Sequence, residues 1–170
     1  EVLAGLAVSA QAEGILATAV FDNVTLTPGP LPLLEGRTVG FSATQGTHSE
    51  VGGTYTMSAS ADGLNNTSDD CYFLSAPVTG DFTLTASITA LQSATSSPQA
   101  GVCVRENAGR RTRSVYLGGK PGAAPELVWR PTTVTLANGL GVDFNLTPGV
   151  LTFPPGTSMQ HITLQIVDDA

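Results

Sequence analysis

Charge is scarce in this sequence. Only 12% of its 170 residues are Asp, Glu, Lys or Arg, about half the share of a typical soluble domain. Basic residues are the scarcer kind, seven against fourteen acidic ones, for a net charge of −7. That balance excludes nucleic acid as the partner, because phosphate binding needs clustered Lys and Arg. The one basic cluster is Arg105, Arg110, Arg111 and Arg113, with Glu106 inside it. Its plain reading is a solvated hairpin loop, and its sharper reading is a patch for an anionic ligand. The two histidines, His48 and His161, lie too far apart in sequence to suggest a zinc site. No nucleophile elbow accompanies them, so Ser-His-Asp chemistry has no footing. The only cysteines, Cys71 and Cys103, both sit in apolar runs, which leaves one disulfide or two buried thiols. No apolar run reaches the roughly 20 residues of a membrane-spanning helix, so membrane insertion is not expected.

Helix signals are nearly absent as well. Residues 1–20 are rich in alanine, but Gly5 and Gly14 interrupt them, and Val8, Val20 and Phe21 suit strands better. The chain opens in strand-like sequence, as expected of a mature product or an excised piece of something larger.

What is present is the signature of short strands: 19 glycines and 11 prolines between runs rich in Thr, Val and Leu. Residues 18–27 read as a strand with Ala19, Phe21, Asn23 and Thr25 on one face and Val20, Asp22, Val24 and Leu26 on the other, stopped by Pro28-Gly29-Pro30. Further strands are predicted at 37–43, 53–60, 71–76 and 81–91. The last shows the cleanest period of two, with Phe82, Leu84, Ala86, Ile88 and Ala90 against Thr83, Thr85, Ser87 and Thr89. Residues 61–70 form a polar loop dense in turn formers. Residues 101–106 and 113–117 read as a hairpin, 126–130 as a short strand carrying Trp129, and 134–136, 143–146, 150–153 and 161–167 as strands beyond a break at Pro131.

Two segments resemble known modules. Gly80-Asp81-Phe82-Thr83-Leu84, continuing through Leu91-Gln92-Ser93 to Ala100-Gly101-Val102-Cys103-Val104-Arg105-Glu106, resembles the concanavalin-like or jelly-roll module of bacterial secreted proteins described as DUF1349-like. Gly53-Thr54-Tyr55-Thr56 and Asp69-Asp70-Cys71-Tyr72-Phe73 fit the same pattern. Cys71 and Cys103 stand where that family carries other residues, which strengthens the disulfide reading. Gly5-Leu6-Ala7-Val8-Ser9 and Ala19-Val20-Phe21-Asp22-Asn23-Val24-Thr25 resemble its closing strands. Residues 1–27 are therefore expected to end a preceding repeat or, as a permuted piece, to complete the sandwich of residues 33–130; the preceding repeat is preferred. Gly141-Val142-Asp143-Phe144, Gly149-Val150-Leu151-Thr152-Phe153-Pro154-Pro155-Gly156 and Ile166-Val167-Asp168-Asp169 resemble the middle of a Calx-β domain, so 131–170 is expected to be part of an immunoglobulin-like sandwich.

Calcium is the metal these donors suit, since hard oxygens are the only ligands in supply. Asp168 and Asp169 match the start of a Calx-β calcium site, and Asp62, Asp69 and Asp70 flank a loop able to wrap an ion. Among possible sugar-stacking rings, Trp129 and Tyr116 stand nearest open turns. No spacing of Glu106, Glu126, Asp81 and Asp143 singles out an acid–base pair, and Arg105-Glu106 reads as a cross-strand ion pair. The expectation is an all-β chain: an antiparallel jelly-roll or concanavalin-like sandwich plus part of an immunoglobulin-like one. Its expected role is a non-catalytic structural or adhesion module of a large secreted or cell-surface bacterial protein. Its partners would be an extracellular protein, a polysaccharide or neighbouring domains of the same polypeptide. The alternative is a carbohydrate-binding accessory module of a polysaccharide-degrading enzyme, and a glycosidase fragment ranks last.

Overall fold

The computed structural model describes residues 1–42, 44–65 and 67–130, and the backbone of residues 161–166. The described elements are all strands: β1 Val2–Ser9, β2 Ala17–Thr27, β3 Glu35–Val39, β4 Thr44–Val51, β5 Thr54–Ser60, β6 Gly63–Leu64, β7 Asp69–Val78, β8 Phe82–Ser93, β9 Gln99–Arg105, β10 Ser114–Gly119, β11 Glu126–Arg130 and β12 His161–Ile166. They build two antiparallel sheets in a sandwich. One runs β11-β10-β9-β1-β7-β3, with β6 attached to β7, and the other runs β12-β8-β2-β5-β4.

The first 27 residues supply two inner strands. β1 lies between β7 and β9, and β2 lies between β8 and β5. A two-strand tail has no core of its own to bury; inside these sheets its apolar residues acquire one. Leu6, Val8, Ala19 and Phe21 belong to the core between the sheets, with Met57, Leu74, Leu84, Val102 and Val115.

Three local features differ from the sequence reading. The stretch expected as a strand at 37–43 is strand only to Val39, where β3 ends, and β4 begins at Thr44 on the other sheet. β2 changes face partway. Ala17, Ala19 and Phe21 are buried, and then so is Leu26. The register against β8 slips between Asp22 and Thr25, where Asn23 takes a left-handed φ of 51°. One extra residue at such a bulge exchanges the faces of everything beyond it, so Asn23 and Thr25 are exposed instead of sharing the core face with Phe21. Finally, β12 pairs with β8 in the register His161↔Ser87 through Ile166↔Phe82, which puts this strand, expected in a separate partial domain, on the edge of the five-stranded sheet among the described residues. The other strands expected after Pro131, at 134–136, 143–146 and 150–153, lie outside the described residues, as do Asp168 and Asp169.

Candidate functional site

The seven-stranded sheet carries a second apolar layer on the face turned away from its partner sheet. Ala7, Cys71, Phe73, Cys103 and Tyr116 alternate with core residues along β1, β7, β9 and β10, and they pack together with Val39 and with Leu64 from β6. The loop of residues 61–68 brings Leu64 to this face, and Gln99 fastens it there. The Gln99 Oε1 accepts from Leu64 N at 2.8 Å, and its Nε2 donates to Leu64 O at 3.2 Å.

Beside this layer lies a buried charge lattice. Asp69 is 2% exposed and receives the guanidinium groups of Arg105, itself fully buried, and of Arg130. Arg105 also donates to Gly109 O at 2.7 Å. Arg130 donates to Arg110 O at 2.8 Å and to the Ser114 hydroxyl at 3.0 Å. Asp70 accepts two bonds from Arg110, at 2.5 and 3.2 Å, and one from Phe41 N at 2.6 Å. The Arg110 guanidinium lies over the Phe41 ring, 4.9 Å from its centroid, a cation–π contact. The lattice thus ties the start of β7, the β9–β10 hairpin, the end of β11 and the segment after β3 to one another.

These contacts revise several expectations. Arg105 is no solvated hairpin residue, and its ion partner is Asp69, not Glu106; the Glu106 carboxylate instead accepts the Thr112 hydroxyl at 3.3 Å. Asp69 and Asp70 point their lone pairs at three arginines, an arrangement that repels a cation. Asp62 is exposed and apart from them. Among the described residues, no three His, Cys, Asp or Glu side chains converge as a metal site. Cys71 and Cys103 are free, buried thiols. They lie on strands either side of β1, Cys103 level with Gly5 and Ser75, and Cys71 four residues further along β7, a spacing unlike the close approach a disulfide needs.

Burial raises both thiols. Cys103 is pushed up to about 12, with Arg105 pulling partly the other way, and Cys71 is raised by burial and then by Cys103. Tyr116 is raised by burial and then by Glu126. A group whose pKa is higher folded than unfolded favours the fold fully below its unfolded value and loses that contribution as pH rises through its folded one. The thiols, ordinarily near 8.5, should therefore stay silent to a disulfide reagent at neutral pH and give two equivalents only in denaturant. The urea midpoint should fall progressively above about pH 9. Immediate labelling of the native protein would contradict the buried placement.

A groove of about 440 Å³ runs along β11, lined by residues 126–129 together with Gln11, Leu64, Asn65, Gln99 and Lys120. Its polar floor is one connected set. The Glu126 carboxylate accepts from Gln99 Nε2 at 2.5 Å and pairs with Lys120 at 3.1 Å. Glu126 is the only acid among the described residues of the lining. Of the two rings singled out for sugar contact, Tyr116 is 2% exposed and inside the second apolar layer, while Trp129 is 56% exposed. Trp129 stands opposite Val115 and Leu127 opposite Leu117. Since Val115 and Leu117 belong to the core between the sheets, the register turns Trp129 to the opposite face from Glu126 and Val128.

Sequence reasoning missed Gln99, Arg130 and the joint role of Asp69 and Arg105. For Arg130, Asp69 and Arg105 the signal was the rarity of charge itself, which makes each ion in a strand informative; Gln99 had none. Among the described residues no helix is long and apolar enough to cross a membrane. Compared with protein-family models, curated proteins and solved structures, the chain matches none, and what is shown is an antiparallel two-sheet β-sandwich.

Proposed function

We propose that this chain is a non-catalytic structural or adhesion module, a sandwich of the jelly-roll or concanavalin-like kind belonging to a larger secreted or cell-surface protein. The observation that carries the reading is the use made of its few charges. Asp69, Asp70, Arg105, Arg110 and Arg130 are spent on bracing loops to one another, and the one carboxylate among the described residues lining the groove along β11 is already paired with Lys120. Such a chain invests its polar chemistry in holding shape.

The carbohydrate-binding alternative would use that groove. It has less support, because its exposed ring, Trp129, and its carboxylate, Glu126, belong to opposite faces of β11. Calorimetric titration of the chelator-stripped protein with a panel of soluble polysaccharides separates the two. The structural reading expects no saturable heat. A heat that survives chelator and disappears in Trp129→Ala would replace it with a glycan-binding module.

A further inference from the structure

The edges of the two sheets are finished differently. β3 ends one side of the seven-stranded sheet with Glu35 and Arg37, paired at 3.4 Å. β4 ends the five-stranded sheet with the polar run Thr44-Gln45-Gly46-Thr47-His48-Ser49-Glu50, almost wholly exposed and bulged between Thr44 and Thr47. Charge, polarity and bulging are the usual ways of blunting a strand edge. β11, the other edge of the seven-stranded sheet among the described residues, has an apolar middle instead. Leu127 is 41% exposed and Trp129 56%, both on the face whose strand neighbours Val115 and Leu117 are core residues. The adjoining groove is bordered by residues 126–129 and reaches inward to Gln99 of β9 and Leu64 of β6.

The sequence of this edge is complementary to itself. Laid antiparallel about Val128, Glu126-Leu127-Val128-Trp129-Arg130 sets Leu127 opposite Trp129 of a second copy, and Trp129 opposite Leu127, on one face. It sets Glu126 opposite Arg130 at both ends. Arg130 already serves Asp69, so those end positions contribute the absence of like charges facing each other, itself a requirement of stable pairing. An aromatic ring against a branched aliphatic chain is a favourable cross-strand pair, and a twofold axis supplies it twice.

We infer that β11 is a self-association edge, where two copies of this chain join antiparallel about Val128 into one continuous sheet. This goes beyond the structural-module reading and does not depend on it. The test is sedimentation of the full chain from micromolar to millimolar concentration, with Leu127→Lys and Trp129→Lys beside it. Lysine on a strand edge opposes pairing, and each substitution should weaken dimerisation by roughly tenfold or more. Both positions are exposed, and the urea midpoint of each variant reports that it still folds. Val128→Cys supplies a second reading. Under mild oxidation it should cross-link to itself far more than Leu33→Cys, a control at a position 88% exposed, while the native thiols stay buried. A wild-type chain that remains monomeric throughout overturns the inference. So does a dimer indifferent to both lysines, or equal cross-linking at positions 128 and 33.

Discussion

Asp69→Asn is expected to lower the free energy of unfolding by about 3–5 kcal/mol. The side chain keeps its shape and loses its charge, and Arg105 and Arg130 then face a neutral amide. Arg105 has no exposed side-chain surface and Arg130 has 8%, so neither guanidinium reaches water without moving the loops it holds. Removing one partner of a buried pair costs far more than the pair contributes, because an uncompensated charge remains in a poorly solvated site. The check is urea unfolding of the single variants Asp69→Asn and Arg105→Met and of the double variant. The two losses should not add. The double variant should recover part of the stability, with a coupling of at least about 1 kcal/mol. Additive losses would mean that the two residues act separately, and a loss for Asp69→Asn below about 1 kcal/mol would be the behaviour of a surface pair.

Gly5→Ala should be the next most damaging small change, at about 2–3 kcal/mol. Gly5 is in β1, between Ser75 of β7 and Cys103 of β9. A Cβ there would overlap the Leu74 carbonyl oxygen and lie 2.7 Å from Ser75 Cα. Both are backbone atoms of a neighbouring strand, so no side-chain rotation relieves the overlap; the sheet itself must part. Gly119→Ala is the internal comparison, since nothing lies within 4 Å of its added Cβ, and it should change the urea midpoint little. Equal effects at the two positions would show that the close approach at Gly5 is not the cause, since the lower entropy of the unfolded chain acts in the stabilising direction at both.

Both effects arise from the part of the molecule that its sequence conceals. β5 and β8 were readable because one face of each meets the core and the other is polar or half exposed, which writes a period of two into the residues; Phe82, Leu84 and Ala86 are buried as the alternation requires. β1, β7 and β9 are buried almost from end to end. A strand covered on both faces loses its alternation, so nothing in Leu6-Ala7-Val8 or Cys71-Tyr72-Phe73-Leu74 announces the second apolar layer. Residues 61–70 read as one polar loop, yet Gly63–Leu64 form β6 and Asp69 and Asp70 open β7. That the segment carries Leu64 onto that layer and Asp69 into the arginine lattice was not legible.

By itself, then, the sequence determined that the chain is all-β and antiparallel, and that charge is sparse and mostly acidic. Turn residues and alternating β-branched positions are local signals, and net charge is a simple sum, so each can be read without a fold. The tertiary structure alone decided that residues 1–27 fill the middle of both sheets, that Tyr116 is inside and Trp129 outside, and that Asp69 meets Arg105 across 36 residues of chain. These are outcomes of which strands become neighbours, and strand order is set by burying every apolar face at once, a condition no single segment carries.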